Sequence, residues 1–465
     1  MMRFTAVTAT ALVLVGCASF SPDGGMGKVS DLTKERTGQA VSAQRSEQEA
    51  DAARARVSEV LKQPLTADTA VELALLNNRG LQASFSQLGI AESDLVQAGR
   101  LRNPTFSFSR LAAGGVVEIE RSVVFDVLGL LTMPAAKQVQ QHHFEQAQYQ
   151  AAYAAVGIAS DTRRAFFGAV AAQELVRYFQ QVKEAADASN ELAKRMVAAG
   201  NFNKLAQMRE QAFYADATAG LARAQQQAVA ERERLTRLLG LSGEQLNFKL
   251  PERLPDLPKQ PTEPQDAEQT AIDKRLDVLM AKRATEATAR SLGLTRATRF
   301  INGLELGYQN KSETGDERKN GYTVELPLPL FDFGAARTAR AEATYMQAVH
   351  RTAEVAIDAR SEVRESYAAY RSAYDLAKHY RDEVVPLRKR ISEENLLRYN
   401  GMLIGVFELL ADSREQVRGV TDYVLALRDF LVAETNLQTA LTGRSPGPSA
   451  AVSAPSAAAE PAASH

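Results

Sequence analysis

Residues 299–341 contain two alternating segments, separated by a polar loop and followed by a long helical pattern. In the first segment Leu304, Leu306 and Tyr308 alternate with polar residues or glycine. The apolar residues of the second segment are Tyr322, Val324, Leu326, Leu328 and Leu330. A period of two places successive side chains on opposite faces of a strand. Each segment is about nine residues long, close to the roughly 9–11 that a tilted strand needs to cross a bilayer, so we predict a hairpin of that length between helices.

A similar pair of segments precedes it by about 200 residues. Phe106 and Phe108 alternate with serines before a short glycine-containing turn, and Val117 to Val127 then alternate with polar residues. The polar face of such a sheet meets water in a soluble protein and the lumen in a membrane barrel. Periodicity alone does not separate these two cases. The lumen-facing candidates are Glu118, Glu120, Asp126, Glu305 and Glu325.

Long helical patterns follow both hairpins. The first begins at Pro134, a residue suited to a first helical turn, and continues to about residue 199. At 1.5 Å per residue it would be roughly 100 Å long. The second covers residues 334–400, with Pro386 as its expected kink. Each pattern ends near a glycine, Gly200 or Gly401, and a further helix follows.

The matching order of elements predicts an internal duplication of helix, hairpin, long helix and helix. Arg164–Phe167 and Arg364–Tyr367 occupy corresponding places, as do Gly200 and Gly401. The predicted boundaries are residues 65–246 for the first repeat (hairpin at about 103–128), 247–270 for a proline-rich linker, 271–442 for the second repeat (hairpin at about 300–331), and 443–465 for a disordered tail.

The N-terminal region carries the one cysteine of the chain, Cys17. Arg3 precedes a short apolar stretch, which is typical of a cleavable export signal over residues 1–16. The sequence Leu14-Val15-Gly16-Cys17 resembles the bacterial lipoprotein box, which implies lipidation of Cys17, and Ala18 favours delivery to the outer membrane. The polar residues 17–64 are then expected to form a partly extended, lipidated tether. Since no later stretch approaches 18 consecutive apolar residues, a chain that crosses the outer membrane must use strands.

Several function classes lack support in the sequence. The 55 basic and 56 acidic residues are balanced, so no nucleic-acid footprint is indicated. His142 and His143 are adjacent rather than spaced i, i+4, so a zinc pair is not favoured over surface histidines. No phosphate-binding loop or hydrolase motif occurs. We therefore expect a protein that is not an enzyme and that has no cofactor or metal.

Four strands cannot close a barrel alone, because open edges in lipid leave backbone groups unpaired. Copies of the chain must therefore combine their strands, and three copies would supply twelve, within the known range of eight upward. The long alanine-rich helices suit side-by-side packing. An ordinary coiled coil is the alternative for the helices alone.

At this point the chain resembles the TolC family of outer-membrane efflux and secretion channels, in its lipoprotein, nodulation-type form. The resemblance covers residues 65–441 and rests on Leu65-Thr66, Asn103-Pro104, Leu326–Gly334 and Gly401–Leu410. It implies a mainly α fold with membrane β structure: a homotrimer with a 12-stranded outer-membrane β-barrel continuous with a periplasmic α-helical barrel. The implied partners are outer-membrane lipid, a periplasmic adaptor and an inner-membrane pump of a Gram-negative bacterium.

The resemblance also suggests a periplasmic gate. In this family carboxylates after the position of Gly401 form rings at the periplasmic mouth, and Glu408 falls where the first is usual. The second is expected three residues later, at Ala411, whereas this chain has Asp412 four residues after Glu408. Glu408 and Asp412 are therefore the gate candidates, with an exposed helix surface as the alternative for Glu408.

The expected function is an exit duct that passes small toxic compounds or metal ions to the exterior. One alternative is a type I protein secretion channel. Another, of a different class, is a lipid-anchored periplasmic coiled-coil adaptor or scaffold. An adaptor would have one helical hairpin and a compact β domain, so the two alternating hairpins favour the channel.

Overall fold

The computed structural model describes residues 19–200, 203–301 and 303–447, without the side chains of residues 406–408 and 410–413. Cys17, the predicted export signal and most of the predicted tail lie outside these residues. The chain divides into two compact units. The sheet unit comprises Met1–Leu32, Ala83–Ala152 and Leu276–Ile357, and the helical unit comprises Thr33–Gln82, Tyr153–Arg275 and Asp358–His465.

Helices account for most of the described residues. They are α1 (Met26–Thr37), α2 (Glu47–Val60), α3 (Ala67–Asn77), α4 (Arg79–Ala98), α5 (Val127–Ala198), α6 (Lys204–Leu239), α7 (Ala267–Lys274), α8 (Leu276–Ala297), α9 (Ala335–His379), α10 (Val385–Asn400) and α11 (Val406–Thr442). Along the part of the chain that is described, none of these helices combines the length and apolarity needed to span a bilayer.

The N-terminal region is more ordered than the sequence predicts. The expected partly extended segment contains α1 and α2. Ser46 starts α2 with a capping box. Its side chain accepts from the backbone N–H of Glu49, and the Glu49 side chain accepts from the backbone N–H of Ser46. Val29 and Val57 are buried, at 0% and 1% exposure. The segment is therefore mostly helical, and residues 39–45 between the two helices are its part without regular structure. The sequence analysis overlooked this cap and these isolated apolar anchors.

The first long helix begins before Pro134, contrary to the prediction. Asp126 ends the preceding strand, and its Oδ1 accepts from the N–H of Gly129 at 2.7 Å, which caps the first turn of α5. Pro134 consequently lies inside the helix, where it supplies no N–H to the carbonyl four residues earlier. The side-chain cap, and not the proline, determines where this helix begins.

The second long helical pattern is interrupted just before Pro386. A π-helical turn, Tyr380–Val384, separates α9 from α10, and Pro386 occupies the first turn of α10. A proline there removes a hydrogen bond to the preceding turn, and a widened turn accommodates that loss. The expected irregularity at Pro386 is therefore present as a π turn immediately before it.

The four strands form one antiparallel sheet in the order β1 (Thr105–Ala113), β2 (Val116–Asp126), β3 (Glu305–Glu313) and β4 (Lys319–Glu325). Strand β4 ends at Glu325, although the alternation predicts a strand to Leu330. Pro327 and Pro329 explain the early end, because neither can donate to a ladder hydrogen bond. In contrast, β3 extends further into the predicted loop and ends at Glu313.

Aromatic residues organise the core of the helical unit. Phe430 of α11 is fully buried, and its ring centroid lies 5.5 Å from that of Tyr370 and 5.7 Å from that of Tyr374 on α9. The Tyr374 hydroxyl donates to the carbonyl of Lys259 at 2.8 Å, and the Tyr370 hydroxyl accepts from the N–H of Thr262 at 2.8 Å. These bonds attach the proline-rich linker to α9, so the linker is a packed part of the unit.

Candidate functional site

The five predicted lumen-facing carboxylates lie on the same face of the sheet. Asp126 pairs directly with Glu305, and Glu305 pairs directly with Glu325. Residues opposite each other on antiparallel strands share a face. Glu118 and Glu120 share that face too, since their spacing from Asp126 along β2 is even. The structure thus brings all five together, three of them in one row across adjacent strands.

Basic residues partly compensate the charge of this acidic face. The Lys311 ammonium lies 2.6 Å from the carboxylate of Glu118, and Arg102 lies 3.2 Å from the carboxylate of Asp126. Lys311 was missed as a partner because the sequence placed it in a polar loop. The sequence gives no signal for it, because Gln309, Asn310, Lys311 and Ser312 are all polar, and the pairing depends on the register between β2 and β3.

The opposite face of the sheet is apolar near the helical ends of the strands. Its paired rows contain Phe106, Val123, Tyr308 and Tyr322, and then Phe125, Leu306 and Val324. The rings of Tyr308 and Tyr322 meet edge to face with centroids 5.8 Å apart. Tyr322 is 87% exposed and Val324 64% exposed in the single chain. Side chains of this kind need an apolar environment that one chain does not supply.

Polar residues border this apolar face towards the hairpin turns. Arg121 donates to Asn310 at 3.2 Å, and Asn310 donates to Asn320 at 2.7 Å. The bonds cross three adjacent strands. An apolar band with polar groups beyond it is the pattern of a strand surface that passes from hydrocarbon into water.

Both outer edges of the sheet lack a partner strand within the described ranges. Strand β1 pairs with β2 alone, and β4 pairs with β3 alone. Each edge presents backbone N–H and C=O groups that require hydrogen-bond partners in a nonaqueous environment. The sheet is therefore suited to extension by further strands on both sides.

The gate candidates Glu408 and Asp412 lie in the first turns of α11, and their side chains are outside the description. Close by on the same helix, Arg414 donates to the carbonyl of Arg209 at 3.1 Å and lies 4.8 Å from the ring centroid of Phe213. Arg388 and Glu415 form an ion pair at 3.0 Å. These contacts hold the start of α11 against α6 and α10.

Burial raises the pKa of two carboxylates further along α11. It raises the pKa of Asp422, although a hydrogen bond from Tyr380 opposes that change. It also raises the pKa of Glu434, while the nearby Arg163 acts in the opposite direction. Within the described residues, no group of three or more His, Cys, Asp or Glu side chains is arranged to hold a metal ion.

The second repeat contains the region that matches a known family model. Residues 268–394, from α7 through β3 and β4 to α10, match the family model described as outer membrane efflux protein. This region of the second repeat is therefore similar to the outer membrane efflux protein family. No curated protein matches the chain.

Solved structures show the fold of the chain. CusC, described in terms of transmembrane channel formation, aligns with a TM-score of 0.68 and 18% identity over 81% of this chain and 92% of that one. VceC from Vibrio cholerae aligns with a TM-score of 0.67 and 15% identity over 84% of this chain and 97% of that one. The open-state MtrE channel from Neisseria gonorrhoeae aligns with a TM-score of 0.67 and 16% identity over 83% of this chain and 89% of that one. The chain therefore has the fold of these solved outer-membrane channels, so the predicted resemblance and the mainly helical, duplicated fold are confirmed. The trimeric barrel stays a prediction.

Proposed function

We propose that this protein is an outer membrane efflux protein and serves as the outer-membrane exit duct of a tripartite efflux pump. Three copies would form a twelve-stranded barrel and a ring of helices, supplied by a periplasmic adaptor and an inner-membrane pump. The substrates would be small toxic compounds or metal ions. The observation that carries the proposal is the four-stranded sheet with one apolar face, one charged face and two open edges.

The faces of the sheet determine how it would be used. The apolar rows around Tyr308 and Tyr322 would contact lipid, and the opposite face with Glu118, Asp126 and Glu305 would line water. Joining β4 of one copy to β1 of the next satisfies the edge hydrogen bonds, which a single sheet in hydrocarbon cannot do. A charged lumen and an apolar exterior are the arrangement of a water-filled membrane barrel.

Conductance tests the channel and its gate together. Purified protein in a planar bilayer is expected to form discrete pores. Three Glu408 carboxylates near one axis would attract cations, so Glu408→Ala should reduce block by multivalent cations and change single-channel conductance. Asp412→Ala should have the same kind of effect if both carboxylates line the mouth. Absence of pores contradicts the channel, whereas pores that Glu408→Ala leaves unchanged contradict only the gate assignment.

We further propose that Cys17 anchors the mature chain to the outer membrane through its lipid. Replacement by serine removes the thiol that accepts the lipid. Radioactive palmitate is therefore expected to label the wild-type protein and not Cys17→Ser. Each buried CH₂ of an acyl chain adds about 0.8 kcal/mol to membrane binding, so the anchor would add to the attachment that the proposed barrel provides. Labelling of Cys17→Ser would refute this assignment.

The competing functions predict other results in these experiments. A periplasmic adaptor or scaffold would form no pores. A type I secretion channel would conduct, but its deletion would abolish export of a protein without increasing sensitivity to small toxic compounds. Growth of a deletion strain in the presence of such compounds, with complementation by the wild-type gene, therefore separates secretion from efflux.

A further inference from the structure

A polar cavity of about 310 Å³ lies between α8 and α9 in the sheet unit. Hydroxyl-bearing residues and arginines form almost all of its lining: Thr288, Ser291, Thr295 and Thr298 of α8, and Arg337, Arg340, Ala341 and Thr344 of α9. Its volume falls at the lower end of the range of ligand pockets, roughly 300–1,000 Å³. The cavity is therefore large enough for a small polar group.

The two arginines are the main hydrogen-bond donors that this cavity offers to a ligand. Its threonine hydroxyls donate within their own helices, as Thr295 does to the carbonyl of Ser291 and Thr344 to that of Arg340, both at 2.9 Å. Arg337 and Arg340 are exposed, and within the described ranges neither forms an ion pair. Since they are three residues apart on one helix, their side chains lie on the same face. Two guanidinium groups therefore point to an anion as the ligand.

The surroundings of the cavity are strongly basic. Segments 288–300 and 333–344, which contain all of its lining residues, hold five arginines and one acidic residue. That acidic residue, Glu342, already pairs with Arg296 at 2.6 Å. The charges of the chain as a whole are balanced, at 55 basic and 56 acidic residues. The excess of positive charge is thus a local feature of this pair of helices, and it leaves the two cavity arginines without a carboxylate partner there.

Exposed aromatic side chains adjoin the cavity at the start of α9. Phe331 is 98% exposed and Phe333 is 53% exposed. Arg299 Nε donates to the carbonyl of Phe333 at 3.0 Å, and Arg337 donates to the carbonyl of Arg299 at 3.4 Å. Gly334 has a φ of +74°, and a Cβ there would lie 2.8 Å from the Arg299 carbonyl oxygen, so only glycine permits this close approach. The junction therefore places the aromatic residues beside the basic cavity.

The cavity lies close to the sheet. Strand β3 begins at Glu305, six residues after Arg299, and six residues span at most about 20 Å. In the proposed channel the strands cross the outer membrane and the helices extend into the periplasm. The cavity would then lie near the periplasmic surface of the membrane, where lipid phosphates are found. Basic pockets between helices at this depth bind lipid headgroups in other membrane proteins.

We propose that the cavity between α8 and α9 binds the headgroup of an anionic phospholipid from the periplasmic leaflet of the outer membrane. The guanidinium groups of Arg337 and Arg340 donate to the phosphate oxygens, and Phe331 and Phe333 contact the apolar part of the same lipid. The inference rests on the proposed function, which places the strands in the membrane. It combines three independent observations: unpaired arginines in a cavity, exposed aromatic residues beside them, and a short connection to the sheet.

Retention of added lipid tests the site. The full-length protein is purified in a neutral detergent and mixed with phosphatidylglycerol, and the lipid that stays bound is counted by native mass spectrometry. The wild type is expected to retain phosphatidylglycerol in preference to phosphatidylcholine, which has the same phosphate but no net charge. Combining Arg337→Gln with Arg340→Gln should reduce the retention of phosphatidylglycerol roughly tenfold or more, because each arginine contributes to the attraction of an anionic lipid.

The matched control combines Arg290→Gln with Arg351→Gln. These two arginines are exposed on the same two helices but do not line the cavity, so the control removes the same charge elsewhere. It should retain phosphatidylglycerol as the wild type does. The yield of heat-modifiable trimer shows whether each variant is folded.

The outcomes separate the inference from the proposed function. Loss of lipid in the cavity variant alone supports the site, whereas equal loss in both double variants would show an effect of net charge and overturn it. Displacement of phosphatidylglycerol by excess inorganic phosphate would identify a soluble anion as the ligand and overturn the assignment to a lipid. If the wild type forms pores but retains no more phosphatidylglycerol than the cavity variant, the site is wrong and the channel stands. If the wild type is monomeric and forms no pores, the proposed function fails and the membrane position of the cavity fails with it.

Discussion

A Tyr322→Arg variant is expected to lose most of its folded, membrane-inserted trimer. Tyr322 lies on the apolar face of β4 and is 87% exposed in the single chain. In the proposed barrel this face contacts lipid. An arginine on the lipid face costs about 2–4 kcal/mol at the bilayer midplane and less near the interfaces, and the trimer would contain three. The measurement is the yield of heat-modifiable trimer after refolding into lipid vesicles.

The adjacent residue provides a matched control. Thr323 lies on the other face of the same strand, where it pairs with Gly307. Because this face would line a water-filled lumen, Thr323→Arg should refold with a yield close to wild type while altering conductance. Equal loss of trimer in the two variants would mean that the faces do not differ in environment, and the membrane barrel would have to be abandoned.

A Phe430→Ala variant is expected to lower the free energy of unfolding of the helical unit by about 3–5 kcal/mol. Phe430 has 0% exposure and packs against the rings of Tyr370 and Tyr374. Truncation removes this burial and leaves a cavity between α9 and α11 that the long helices cannot collapse to fill. Denaturant unfolding followed by helical circular dichroism measures the change.

Leu246→Ala serves as the control for Phe430→Ala. Leu246 is 40% exposed in the turn Gly243–Asn247, and surface truncations usually change stability by about 0.5 kcal/mol or less. A loss at Phe430 no larger than that at Leu246 would contradict the assignment of this aromatic cluster to the core. The tyrosine hydroxyls also hold the linker, so the linker should become more accessible to protease in Phe430→Ala.

The sequence predicts the organisation of this fold well where one period dominates. Alternation in residues 105–126 locates both strands of the first hairpin and assigns Glu118, Glu120 and Asp126 to one face. Alternation also misleads in the second hairpin, because Leu328 and Leu330 continue the pattern although Pro327 and Pro329 cannot donate to a ladder hydrogen bond. An alternating pattern indicates on which face each side chain lies, but it does not show whether each residue has a backbone N–H to donate.

Helix boundaries were less predictable, since they depend on single side chains. Asp126 starts α5 ahead of Pro134 through one bond to Gly129, and Ser46 starts α2 in a region of low periodicity. The partners of the acidic face, Lys311 and Arg102, depend on register between strands that are far apart in sequence. Such pairings follow from tertiary structure, so a linear pattern does not reveal them.

The two open edges of the sheet have a consequence for the order of events in the cell. If a lone subunit cannot enter lipid without exposing unpaired amides, then encounter between subunits has to come before or together with insertion. Production of functional channels would then depend steeply on the concentration of newly exported chains. Halving expression should reduce the number of channels by more than half, with the excess remaining as unassembled periplasmic protein that is open to proteolysis.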